Sequence, residues 1–165
     1  MKLNRSFLSV LSFSVLLFLT ACSKSNNNTT GSNGSLSAMV GGSSFTAIKT
    51  DGAYIALLNQ LFVVGYYIQS QDTTAIQIAI PYIPPVNHPF STDSTGSVLT
   101  YVIDGKRYDA SIAFPVSHAI FTLTTADTVQ HTIAGTFSGT IYNDTNANDS
   151  IVITNGKFST GYSLQ

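Results

Sequence analysis

From Leu36 onward apolar residues recur at every second position, and no window past residue 35 sustains an i, i+3, i+4 apolar stripe of helical length. Successive side chains of a strand point to opposite faces, so this period fits half-buried sheet and argues against a helical bundle. Ile76, Ile78 and Ile80 share one face, with Ala75, Gln77 and Ala79 on the other. Phe62, Val64, Tyr66 and Ile68 alternate with Leu61, Val63, Gly65 and Tyr67. Ile133, Gly135, Phe137, Gly139 and Ile141 alternate with Thr132, Ala134, Thr136, Ser138 and Thr140, and Tyr108, Ala110, Ile112 and Phe114 repeat the theme. β-branched and aromatic residues fill these runs, as a pleated surface requires.

Turn residues cut the runs at strand-like spacing. Breaks are expected at Gly41-Gly42, Asp51-Gly52, Ser70-Gln71-Asp72, Asp104-Gly105 and the polar residues 143–150. Asp104-Gly105 is the strongest hairpin signal, because both positions tolerate the positive φ of a type I′ turn. The reading is all-β, with about nine or ten strands in one domain over residues 35–165. A single antiparallel β-sandwich is the first architecture expected, and a lipocalin-like or partly open β-barrel the alternative; both hide strand edges.

One segment departs from the alternation. Residues 81–90 carry four prolines, which donate no backbone hydrogen bond and are excluded from central strands. With residues 91–96 they form a connection of roughly 15 residues, a length often tied to function. Its apolar members argue that it lies on something: a stiff cover over one end of the core, or a ligand-facing lid with Tyr82, Ile83, His88 and Phe90 as candidate contacts.

The N-terminal fifth, residues 1–34, is of another kind. Lys2 and Arg5 precede an uncharged apolar run over residues 7–19, followed by Ala21 and Cys22. The run is shorter than the roughly 20 residues a membrane-spanning helix needs and fits the apolar region of a secretory signal. With Leu19-Thr20-Ala21-Cys22 it resembles a bacterial lipoprotein signal, which implies cleavage before Cys22 and acylation of its thiol. Cys22 is the only cysteine, so no intramolecular disulfide is possible. The expected organisation is a signal peptide over 1–21, lipidated Cys22 with a tether over 22–34, and the β-domain over 35–165. Residues 23–34 contain nothing apolar to bury and reach about 17–21 Å as a flexible leash.

Without residues 1–21, five basic residues face eight aspartates, a net charge of −3, and the chain has no glutamate. The electrostatic term that drives nucleic-acid binding is therefore missing, and no nucleic-acid partner is expected. Charged residues are 9% of the chain, so Thr, Ser, Asn, Gln and Tyr build the surface.

Reactive clusters are few. Turn aspartates bond their own backbone, and no serine stands at a nucleophile elbow. His88, His118 and His131 are scattered without metal-ligand spacing. An enzyme would need two or more of Asp104, Asp109, His88, His118 and His131 to converge. The sharpest local cluster is Asp144, Asn146, Asn148 and Asp149, with oxygens at relative positions 1, 3 and 5 as in a calcium loop. Asp149 replaces the turn glycine and Asn155 the bidentate acid, so a solvated hairpin connection is the plainer reading. No cofactor is expected. Thr73, Ser94, Thr128 and Ser150 each follow an aspartate, and these sites resemble the acceptor of general O-glycosylation in Bacteroidetes. Tyrosines offer a carbohydrate platform, although strand aromatics more often pack in the core.

Three stretches carry a wider resemblance: Met39-Val-Gly-Gly42-Ser-Ser-Phe45-Thr-Ala47, Thr132-Ile-Ala-Gly135-Thr-Phe-Ser-Gly-Thr and Ile151-Val-Ile-Thr-Asn-Gly156-Lys-Phe158. Together they resemble an uncharacterised family of small all-β Bacteroidetes lipoproteins, over roughly residues 36–160. Phe45 stands where such proteins often have tryptophan. The resemblance implies an envelope-anchored domain and supplies no activity. The function expected is an outer-membrane lipoprotein, facing the periplasm rather than the surface. It would be held by its lipid and serve as a non-catalytic binding or interaction module for an envelope protein or glycan. The alternatives are a β-barrel for a small apolar ligand or carbohydrate and, last, an enzyme.

Overall fold

The computed structural model describes residues 34–69, 72–81, 84–111 and 117–165. The segment expected to be a signal peptide and most of the expected tether, with Cys22, lie outside these residues, as do Tyr82 and Ile83. Gly31–Gln165 is one compact unit. Its strands are β1 (Ser35–Val40), β2 (Ser43–Thr46), β3 (Lys49–Ile55), β4 (Gln60–Gln69), β5 (Asp72–Pro81), β6 (Pro89–Ser91), β7 (Val98–Ile103), β8 (Lys106–Ala110), β9 (His118–Asp127), β10 (Thr132–Asn143), β11 (Ser150–Gly161) and β12 (Ser163–Leu164). A 3₁₀ turn (Ala56–Leu58) and a four-residue helix α1 (Thr92–Thr95) complete them.

All twelve strands belong to one sheet, so the two facing sheets of the expected sandwich are not what forms. Ten strands follow in the order β12-β3-β4-β5-β7-β8-β10-β11-β1-β2, a curled open sheet that makes a half-barrel. β12 joins β3 in parallel; the other pairs are antiparallel. The curl has a local cause. Only Ala47 and Ile48 separate β2 from β3. The Ala47 N–H donates to Leu36 O on β1, and the Ile48 N–H to Tyr66 O on β4, both at 2.9 Å. Consecutive residues thus bond strands from opposite ends of the path. Gly65 allows this approach: a Cβ there would lie 2.8 Å from Leu36 Cβ.

The concave face holds one core. Leu36, Val63, Ile76, Ile78, Ile80, Leu99, Phe121, Leu123, Ile141 and Ile153 are fully buried in it. The alternation read from the sequence is the cause, since alternate residues of the long strands, such as Ile76, Ile78 and Ile80 of β5, enter this core. Asp104 and Gly105 have φ of 49° and 73°, as a type I′ turn requires. Gly41 and Gly42, at 55° and 84°, do the same between β1 and β2. β4 and β5 pair out to Gln69 and Asp72, so Asp72, expected in the break, belongs to β5. Asp51-Gly52 is not a turn: it lies inside β3 opposite Val64 and Val63. Glycine is needed there for close approach, because a Cβ on Gly52 would sit 2.5 Å from Gly161 O.

Candidate functional site

β10 shares one edge between two strands. Tyr142 and Asn143 pair with Asp109 and Tyr108 of β8, while residues 132–140 pair with β9. The resulting fork holds small polar residues. Thr92, Ser97 and Ser117 are buried, and the Thr92 hydroxyl accepts a 3.2 Å bond from the Ala119 N–H. The Thr95 hydroxyl donates to Ser91 O at 2.7 Å and lies 2.6 Å from the Ser97 hydroxyl. Outside this cluster His118 Nδ1 bonds the Asp93 carboxylate at 2.6 Å, both side chains half exposed. Asp93 orients the imidazole as a carboxylate orients a general base.

Of the residues weighed for an enzyme, Asp109 and His118 face Tyr142 and Thr140, two positions apart along one edge of β10. Asp109 is buried on the convex face, where it accepts from Thr100 Oγ1 and Arg107 Nε, each at 2.6 Å. These charge-assisted bonds satisfy a carboxylate taken out of water. Asp104 occupies a turn, and His131 stacks against Tyr162 with ring centroids 5.4 Å apart. His88 is exposed, its Nδ1 3.0 Å from Val86 O. Phe90 lies on β6 against β9, stacked on Phe121 at 5.5 Å. The proline-rich connection thus adds a short strand to the sheet edge.

The loop between β10 and β11 is organised by Asn143, which sequence reasoning missed. Its buried Oδ1 accepts from the Thr145 N–H, the Thr145 hydroxyl and the Asn146 N–H at 3.0, 2.7 and 3.0 Å. Asn146 Oδ1 accepts from the Asn148 N–H, and Asp149 accepts 2.9 Å from the buried Tyr108 hydroxyl. The side-chain oxygens of Asn146 and Asp149 therefore serve the turn itself. Among the described residues no group of three or more His, Cys, Asp or Glu is placed to hold a metal. Loss of water around its phenol, then the Asp149 carboxylate, push the Tyr108 pKa up; burial does the same to Tyr101, helped by Asp104. Thr73, Ser94, Thr128 and Ser150 are all exposed.

Two hollows stand out. One is lined by Leu61, Leu123, Ala126, Thr128, Ile133 and Tyr162 and has about 10 Å³, room for a single water. The other is a shallow groove of about 280 Å³ on the convex face of β9, β10 and β11. Ile120, Thr122, Thr136, Ser138, Asn155 and Lys157 line it. A bulge in β11 makes it: the register shifts between Phe137 and Gly139, and Asn155 takes φ of 54°. Thr154 and Asn155 consequently both face solvent, and Gly156 fits beneath Phe137, whose carbonyl would lie 2.4 Å from a Cβ there. The groove thus offers hydroxyls, an amide and one ammonium on a β-surface.

A DUF5025 domain, a domain of unknown function, is found at residues 80–161. The DUF5025 span runs from the end of β5 through β11 and contains the fork, the groove and the Asn143 loop, with β1–β4 before it. No curated protein and no solved structure matches the chain.

Proposed function

We propose that the chain is an envelope-anchored lipoprotein whose β-domain is a non-catalytic binding or interaction module. The order of charge, apolar run, Ala21 and Cys22 supports the anchor. The observation that carries the binding part is the convex groove with Thr122, Thr136, Ser138, Asn155 and Lys157. Its hydroxyl, amide and ammonium groups suit a glycan or a polar protein surface in the envelope, with the domain facing the periplasm from the outer membrane. A partly open barrel is the architecture we adopt over the sandwich. The dispersal of Asp104, Asp109, His88 and His131 supports the non-catalytic reading.

Between the alternatives, the groove favours a carbohydrate ligand over a small apolar one, because the enclosed hollow is of water size. Two experiments test the proposal. Intact mass of natively expressed protein should show a diacylglycerol-modified chain beginning at Cys22, plus any sugar on Thr73, Ser94, Thr128 or Ser150. Capture of envelope proteins or glycans should occur with the native domain and fail with Asn155→Ala/Lys157→Ala. A bare mass defeats the anchor, and capture indifferent to the double variant defeats the groove.

A further inference from the structure

Five exposed apolar side chains gather at one end of the half-barrel, while Ile48, Ile68, Ile120 and Val152 are exposed elsewhere. Leu57 is 94% exposed, Val129 83%, Leu164 58%, Leu58 45% and Val86 42%. They come from four separate segments that bonds bring together. Ala56 N–H donates to Gln165 O, Gln165 N–H to Tyr54 O, and Tyr162 N–H to His131 O. Asn87 N–H donates to Leu123 O, which lines the small hollow with Leu61, Thr128 and Tyr162. Residues 52–69 and 161–165 contain no Asp, Lys, Arg or His. The charges beside Val129 are Asp127, whose Oδ1 accepts from the Val129 and Gln130 N–H groups, and His131 against Tyr162. The β7–β8 turn and β10–β11 loop instead carry Asp104, Lys106, Arg107, Asp144 and Asp149. The second end also carries the exposed Ile48 and Ile68, so the first differs from it chiefly in having few charges.

The chain also enters the fold next to the apolar end. Gly34 lies beside Thr160 and Thr50, so close that a Cβ on it would be 2.6 Å from Thr160 Oγ1, two residues before Tyr162. From there 33 residues, with Cys22 among them, precede the described domain. Exposed apolar loop tips beside a partly exposed tyrosine, here Tyr54, are the side chains that settle at a membrane interface. We propose that this end is a membrane-docking surface: Leu57, Leu58, Val129 and Leu164 dip into an uncharged bilayer surface and fix the domain's orientation on it. The inference rests on the anchored reading for its geometry, but its test does without the anchor.

The chain from residue 23 holds the whole sheet and core and lacks Cys22. Its sedimentation with phosphatidylcholine vesicles should be measured beside Leu57→Ser/Leu58→Ser and Val129→Ser, with melting temperatures checked. The double leucine variant should lower the partition coefficient by about tenfold or more, the scale for withdrawing two leucines from an apolar layer. Val152→Ser and Ile68→Ser, exposed away from this end, should leave it unchanged. No partition of the parent chain, or equal losses from all variants, overturns the proposal. So does a dimer abolished by Leu57→Ser/Leu58→Ser without vesicle binding, which would make a second copy the occupant. The lipid state of Cys22, read by intact mass, stands or falls separately.

Discussion

Tyr108 donates its hydroxyl to Asp149 at 2.9 Å, joining β8 to the loop between β10 and β11 across 41 residues of sequence. The phenol is buried and its pKa raised, first by loss of water and then by the carboxylate. The folded state therefore favours the protonated phenol. This stability is fully present below the ordinary tyrosine value of 10.0 and is lost as pH rises through the higher folded value. Unfolding titrations should show a decline above about pH 10. Tyr108→Phe should lower stability by about 1–2 kcal/mol at neutral pH and flatten that alkaline limb. An unchanged alkaline limb would assign it elsewhere.

Asn143→Ala removes the acceptor of three bonds at a buried position. It should cost about 1–3 kcal/mol, seen as a lower urea midpoint with unchanged slope.

Calcium at millimolar concentration should leave the melting temperature unchanged. Asn146 and Asp149 already accept bonds within the turn and from Tyr108. A calcium-dependent rise would mean that the loop exchanges these bonds for the ion.

Gly52→Ala should destabilise the domain by about 1–3 kcal/mol, because the added carbon meets the Gly161 carbonyl, which is backbone and cannot swing aside. Gly41→Ala should be milder: nothing crowds that position, and only its positive φ opposes the side chain. Paired thermal melts decide the order.

Asp93→Ala and His118→Ala should each change stability by less than about 1 kcal/mol, since their ion pair is half exposed. A loss well above about 1 kcal/mol in either variant's melt would show that the pair matters more than its exposure implies.

The alternation of Ile76, Ile78 and Ile80 and the pair Asp104-Gly105 made strands and hairpins legible before any coordinates, because both are local constraints. Curl was not legible. The same period serves a sandwich or a half-barrel, and the deciding bonds from Ala47 to Leu36 and Ile48 to Tyr66 link distant strands. Asp51-Gly52 misled for a related reason: a glycine that admits a neighbouring carbonyl looks in sequence like one that turns the chain. Asp93 and His118 lie 25 residues apart, and no spacing rule joins them. Asn143 left a faint trace, a polar residue ending a strand, but the groove needed the bulge at Asn155, which alternation does not encode.

The sharing of the β10 edge between β8 and β9 has a dynamic consequence. β9, with β6 beside it, pairs with residues 132–140 of β10, so any opening there would leave the pairing of Tyr142 and Asn143 with β8 in place. Amide exchange along β10 should therefore fall into two protection classes, with the boundary between Thr140 and Tyr142.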